Sequence, residues 1–187
     1  MIEQILNIST QQINSADVSF FDQYSFDGHK NKQYLYGEAG VEHYRFFVEI
    51  SKIINNKLIF DVGTYLGMSA LAFSYNSTNK VKSYDIFRAI NDLPQKENID
   101  YKIGDAIKDS ALQSADIIFL DVNHDGLYER EIFNHLKSIG WKGILILDDI
   151  YLNDEMIRFW KEIEYKKYDI THLGHWSGTG LVKFGEL

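Results

Sequence analysis

The sequence contains no cysteine, which excludes disulfides, thiolate zinc sites and cysteine nucleophiles. Proline occurs once, at Pro94, in a polar connection. Positive charge is in short supply: 19 Lys and Arg stand against 27 Asp and Glu, for a formal net charge of −8. No lysine- or arginine-rich run compensates locally, which argues against a general nucleic-acid backbone binder. No apolar run approaches membrane-spanning length, and the opening MIEQILNIST lacks the basic and apolar regions of a signal peptide. The expectation is a soluble, cytoplasmic protein without nucleic-acid or membrane partners. Also missing are a GxxxxGK[ST] phosphate loop, a glutamate–histidine zinc-protease pairing, the Asn/Asp-Pro-Pro-Tyr motif of many base-directed enzymes, and any repeat. What remains is 187 residues, 45% apolar and 14% aromatic, enough for one domain with a full core.

The most informative stretch is LIFDVGTYLGMSALA, residues 58–72. An apolar run ends at Asp61, a turn carries Gly63 and Gly67, and a helical pattern follows through Met68, Leu71 and Ala72. A buried strand, a glycine turn and a returning helix are how open α/β sheets build a nucleotide-sized crevice. A dinucleotide fingerprint needs glycine at the second position of the turn, so that the backbone can touch pyrophosphate. Tyr65 stands there instead. Its ring obstructs a pyrophosphate but can pack against a phosphate-free nucleoside, which favours S-adenosylmethionine over NAD or ATP. A two-glycine turn that is merely a turn is the competing reading.

Around that unit the pattern alternates. Residues 1–36 are the least periodic, with Phe20, Phe21, Tyr24, Phe26, Tyr34 and Tyr36 among polar residues. They read as an arm packed on the core, or as a lid over a substrate pocket. Val41, Tyr44, Phe47, Ile50 and Ile54 predict a helix over 38–55. Strands are expected at 81–86, 99–103, 115–120 and 143–147. A helix from about Leu127 should turn Tyr128, Ile132, His135, Leu136 and Ile139 inward, and Asn153 should cap another. Two last strands, 168–173 and 181–184, are joined by seven residues with three glycines, which suits a hairpin and makes the last strand antiparallel. The fold class is therefore α/β: one domain, with an arm and helix at 1–56 and a three-layer, Rossmann-like core of about seven mostly parallel strands at 57–187.

Acids recur where strands end. Asp61, Asp85, Asp121, Asp148 and Asp149 each close, or nearly close, an apolar run, and in a parallel sheet those ends share the ligand-binding edge. Acids that merely cap helices are the alternative; five on one edge make it the weaker one. Asp85 lies roughly 20 residues beyond the turn, where a ribose diol is usually accepted. Asp61 suits an ammonium group, directly or through water. Asp121, Asp148 and Asp149 would repel one another without a cation, and a partly hydrated Mg²⁺ suits such oxygens. His124, three residues past Asp121, is a candidate general base. His175, Trp176 and Ser177, in the hairpin loop, are candidate substrate contacts. His135 and His172 read as packing residues; His29 and His43 have no evident partner.

Together DVGTYLGMSALA, the acid of SYDI, IFLDVNHDGLY and LILDDIY resemble class I S-adenosylmethionine-dependent methyltransferases, and among them the metal-dependent, catechol-type and related small-molecule O-methyltransferases. The resemblance covers roughly residues 58–151. It implies a seven-stranded sheet with the last strand antiparallel and a small hydroxylated acceptor. It further implies that the turn, with Asp61, Gly63, Thr64, Tyr65, Gly67 and Ser69, holds the methionine part of the cofactor. Asp85 and Ile86 would hold the ribose and Gly104 and Asp105 the adenine, with Asp121 beside them. Asp121, Asp148 and Asp149 match the family's metal ligands. His124 stands where those enzymes place a lysine, Asp149 where they commonly have asparagine, and Asn123 where they carry a loop aromatic. A nucleotide-binding oxidoreductase and a non-catalytic cofactor-binding protein are the alternatives. Oligomeric state is not legible.

Overall fold

Every apolar run that the sequence ends with an acid becomes a strand in the computed structural model, which describes residues 1–26 and 30–185. The strands are β1 Leu58–Val62, β2 Lys80–Asp85, β3 Ile99–Ile103, β4 Ile117–Leu120, β5 Gly143–Asp148, β6 Lys167–Asp169 and β7 Thr179–Phe184. They form one sheet in the order β3-β2-β1-β4-β5-β7-β6. Strands β1 to β5 pair in parallel, while β7 runs antiparallel to both β5 and β6. Strand β6 is therefore parallel to β5, and its loop into β7 leaves at the carboxyl edge. Strand β6 is shorter than expected, because the chain turns at Ile170, whose carbonyl accepts the Leu173 N–H at 2.8 Å.

Consecutive strand residues point to opposite faces, and both faces here are apolar. Ile59, Phe119, Ile146 and Leu181 enter the core on one side; Phe60, Leu120, Leu147 and Val182 enter it on the other. The first side is covered by α1 Ile2–Leu6, α2 Thr10–Asn14, α3 Tyr44–Ile53 and α4 Met68–Phe73. The second is covered by α5 Leu127–Ser138 and α6 Asp154–Glu162. Asn153 caps α6, its side-chain oxygen accepting the Met156 N–H at 3.0 Å. None of these helices is long and apolar enough to cross a membrane.

The arm is built into this core. Ser9 and Gln12 form a capping box that starts α2, and Ile5, Ile13, Phe21 and Leu35 are completely buried beside Ile59 and Phe119. Three expectations need correction. Helix α3 opens at Tyr44 and not near Glu38, because Gly40 takes φ 78° and turns the chain. Val41 is left 52% exposed. Ile139 lies past the end of α5 and is exposed, while Glu129 and Phe133 take buried positions. His172 is exposed in the turn after β6, and His135 is half-buried. His29 lies outside the described residues.

Strand β2 carries one readable pH response. Asp109 accepts Lys82 Nζ at 2.6 Å and the Tyr84 hydroxyl. Those two bonds and the Ala111 N–H outweigh burial and hold its carboxyl at about 2. A lowered pKa stabilises the fold fully above the ordinary carboxylate value and is lost as pH falls through about 2. Asp109→Asn should therefore cost on the order of 1–2 kcal/mol at neutral pH. In urea unfolding, its difference from wild type should vanish as the pH nears 2.

Candidate functional site

Register places the strand exits level: Val62 pairs with Tyr84 and with Leu120, and Leu120 with Leu147. Asp85, Asp121, Asp148 and Asp149 thus follow on one rim. The turn after β1 is drawn down onto it. The amides of Gly63 and Thr64 donate to the Tyr84 carbonyl at 2.8 and 3.1 Å. Gly63 has φ 108°, and a Cβ there would stand 1.6 Å from the Asp121 carbonyl oxygen, so only glycine fits. Tyr65 takes φ 43°, and its amide donates to Asp85 Oδ2 at 2.9 Å. The other Asp85 oxygen accepts the Phe87 N–H at 3.3 Å.

Two cavities open along this rim. One, of about 330 Å³, lies between the tips of β2 and β4 and is lined by Asp85, Ile86, Phe87, Gly104, Val122 and Tyr128. Ile86 and Phe87 are 71% and 57% exposed, an uncovered apolar surface suited to a flat ring. The second, of about 350 Å³, is walled by Glu42, His43, Asp148, Asp149, His175 and Trp176, with Thr64, Met68 and Ser69 below. Gly63, Tyr65 and Asp121 border both.

Several sequence-read residues sit behind these walls. Asp61 is completely buried and lines neither cavity. Ser83 Oγ donates to its Oδ2 at 2.5 Å, while Oδ1 has no hydrogen-bond partner among the described residues. Burial pushes its carboxyl up to about 7, against the pull of the neighbouring Ser69 and Ser83 hydroxyls. Gly67, with φ 76°, packs under Tyr101 and Pro94. Asp105 accepts the Ile107 amide at 3.0 Å and the Tyr128 hydroxyl at 2.8 Å, so it props the cavity wall. Ser177 Oγ donates to Asp149 and lies 2.8 Å from His175 Nδ1.

His124, the candidate general base, is held among the acids of the rim. Its backbone has φ 56°, its amide donates to Glu129 Oε1 at 2.9 Å, and its carbonyl accepts Asn153 Nδ2 at 2.8 Å. That conformation turns the ring back between two acids, with Nε2 3.2 Å from Asp121 and 3.3 Å from Asp149. The ring lines neither cavity. Burial works against its charge, but the Asp121 hydrogen bond and the surrounding carboxylates raise it to about 8.

The remaining acids meet imidazoles as well. Asp148 Oδ1 lies 3.5 Å from both His43 Nδ1 and His175 Nδ1, and Asp149 Oδ1 lies 3.1 Å from His175. Burial opposes ionisation of Asp148, yet the two histidines hold its carboxyl below the usual range. Burial also opposes charge on His175, which the facing carboxylates of Asp148 and Asp149 nevertheless raise to about 10. Asp121 is raised, by burial first and by Asp148 second. Glu42, His43, Tyr34 and Tyr44 also line the second cavity, and sequence reasoning missed them as site residues. The signal available was the Glu-His pair at the head of α3.

No protein-family model matches the chain. The order of the strands and the antiparallel last one are those of the class I methyltransferase fold, and solved structures agree. The SAH-bound methyltransferase PaMTH1 of Podospora anserina superposes with a TM-score of 0.58 at 15% identity, over 85% of this chain and 83% of that one. A methyltransferase from Geobacter sulfurreducens does so with a TM-score of 0.54 at 15% identity, over 91% of each chain. Among curated proteins, "Probable caffeoyl-CoA O-methyltransferase 3" of Dictyostelium discoideum is 32% identical over 123 residues, an alignment covering 57% of this chain. It covers 49% of the relative, so the match spans about half the length of that protein.

Proposed function

We propose that this protein transfers a methyl group from S-adenosylmethionine to a hydroxyl of a small molecule. The observation that carries the reading is the pair of adjoining cavities of 330 and 350 Å³ that meet at Gly63, Tyr65 and Asp121. One has the apolar wall and the acid that adenosine needs. The other has the polar groups that an acceptor needs. The O-methyltransferase name of the Dictyostelium relative supports a hydroxyl acceptor.

Asp85 would accept the ribose hydroxyls through lone pairs left over from its two amide bonds. The methionine part would lie over Gly63 to Ser69, with Asp61 balancing its ammonium group from behind Ser69. Bound there, S-adenosylmethionine would supply a methyl group on an electron-poor sulfur, which would keep the carbon–sulfur electron pair as the thioether when the acceptor oxygen takes the methyl. Asp121, which borders both cavities and is more basic than an ordinary carboxylate, would take the hydroxyl proton. His124 acts as a positioning residue that clamps Asp121 and Asp149. Tyr34 of the arm and Trp176 of the hairpin loop close the acceptor side against water.

Calorimetric titration tests this directly. S-adenosylmethionine should bind and NAD should not. Asp85→Ala should weaken cofactor binding about 100-fold, because two charge-assisted bonds are lost together. NAD binding without S-adenosylmethionine binding would favour the oxidoreductase reading. Tight cofactor binding without transfer to a panel of phenols and sugars would favour a non-catalytic module.

A further inference from the structure

His43 at the N-cap of α3, Asp148 at the end of β5 and His175 in the β6–β7 loop bring one ligand atom each within 4.8 Å of the others. Asp148 Oδ1 stands 3.5 Å from Nδ1 of both rings. That is long for charge-assisted hydrogen bonds, which run at about 2.7–2.9 Å. It is close to the edge, about 3.4 Å, of a tetrahedron built on metal–ligand bonds of about 2.1 Å. His43 and Asp148 are 2% and 3% exposed, and among the described residues Asp148 Oδ1 and both ring nitrogens of His43 have no hydrogen-bond partner. Native interiors seldom leave such atoms unpaired. The His43 ring is stacked on Phe47 at 4.7 Å and edged by Phe119 at 5.2 Å, which fixes its direction. His175 Nδ1 also faces Asp149 Oδ1 at 3.1 Å and Ser177 Oγ at 2.8 Å, and its Nε2 lies 3.8 Å from Glu42.

We propose that His43, Asp148 and His175 form a binding site for a divalent first-row transition-metal ion, with Asp149 and Glu42 as flanking carboxylates. Two imidazoles and a carboxylate suit Co²⁺, Fe²⁺ or Zn²⁺, whereas Mg²⁺ selects oxygen ligands and water. The donor set thus differs from the all-carboxylate trio of Asp121, Asp148 and Asp149. Asp121 is engaged by His124 at 3.2 Å and does not belong to the cluster. The site lies in the wall of the second cavity, and metal binding there does not depend on methyl transfer.

Cobalt(II) titration of the full chain, read by visible d–d absorption and by calorimetry without any methyl donor, tests the proposal. Wild type should bind Co²⁺, Zn²⁺ should displace it, and Mg²⁺ in excess should not. His175→Ala and His43→Gln should each lower Co²⁺ affinity about 100-fold, while Asp121→Asn should stay within about 3-fold. Circular dichroism and thermal melting establish that the variants fold. If the core variant at His43 does not, the loop variant at His175 decides. Absence of Co²⁺ binding to wild type, or wild-type affinity in His175→Ala, overturns the site. Displacement by Mg²⁺ together with loss of binding in Asp121→Asn overturns it in favour of the carboxylate trio. S-adenosylmethionine titration of the same samples reads out the methyl-transfer proposal separately.

Discussion

Gly63→Ala is expected to destroy cofactor binding and to lower stability by about 4 kcal/mol or more. Two costs act together. At φ 108° an L side chain is strained, and its Cβ would stand 1.6 Å from the Asp121 carbonyl oxygen. That neighbour is backbone of the adjoining strand's exit, so it cannot rotate away as a flexible side chain would. Relief requires β1 and β4 to separate at the point where the two cavities meet. Gly140→Ala is the control: its φ is 63°, but nothing lies within 4 Å of the added carbon, so only about 1–2 kcal/mol of backbone strain applies. Urea unfolding of the two variants measures the difference. A Gly63→Ala protein as stable as the Gly140→Ala protein would contradict the close approach of the turn to Asp121.

Asp121→Asn should lower methyl transfer about 1,000-fold, within the usual range for losing a positioned proton acceptor, and leave cofactor affinity within a few-fold. Asparagine keeps the shape and can still bond to His124, but it cannot take the hydroxyl proton. Stability should not fall. Burial and Asp148 raise the Asp121 carboxyl, so its charge is less stable in the fold than in the unfolded chain, and a neutral amide removes that penalty. The sign is the reverse of that for Asp109, whose charge the fold stabilises. Single-turnover assays with saturating cofactor and a responsive acceptor decide the matter. Turnover unchanged in Asp121→Asn would remove Asp121 from the chemistry.

The two histidines that matter most illustrate what a sequence conceals. His124 adjoins Asp121 in the chain and invites the role of base, and a left-handed backbone at φ 56° with bonds to Glu129 and Asn153 turns its ring in between Asp121 and Asp149. Backbone sign at one residue is not encoded in spacing. His43 carried no signal beyond its neighbour Glu42, because its partners Asp148 and His175 lie more than 100 residues away along the chain. Helix periodicity even drew α3 about two turns too long, since it cannot register the φ of 78° at Gly40. By contrast the positions of Asp85 and of the acids after β4 and β5 were readable, because each closes a run apolar enough to be a buried strand.

The chain by itself determined the sheet, the edge on which its acids lie and the kind of crevice the glycine turn makes. Those follow from local forces: apolar runs that must be buried on both faces, turns that demand glycine, and acids that end strands. Tertiary structure alone decided which acid meets which imidazole, which residues line a cavity and which merely support its wall. Such pairings depend on distances of 3–4 Å between segments remote in the chain, set by packing of the arm, α3 and the hairpin loop around the rim, and no periodicity records them.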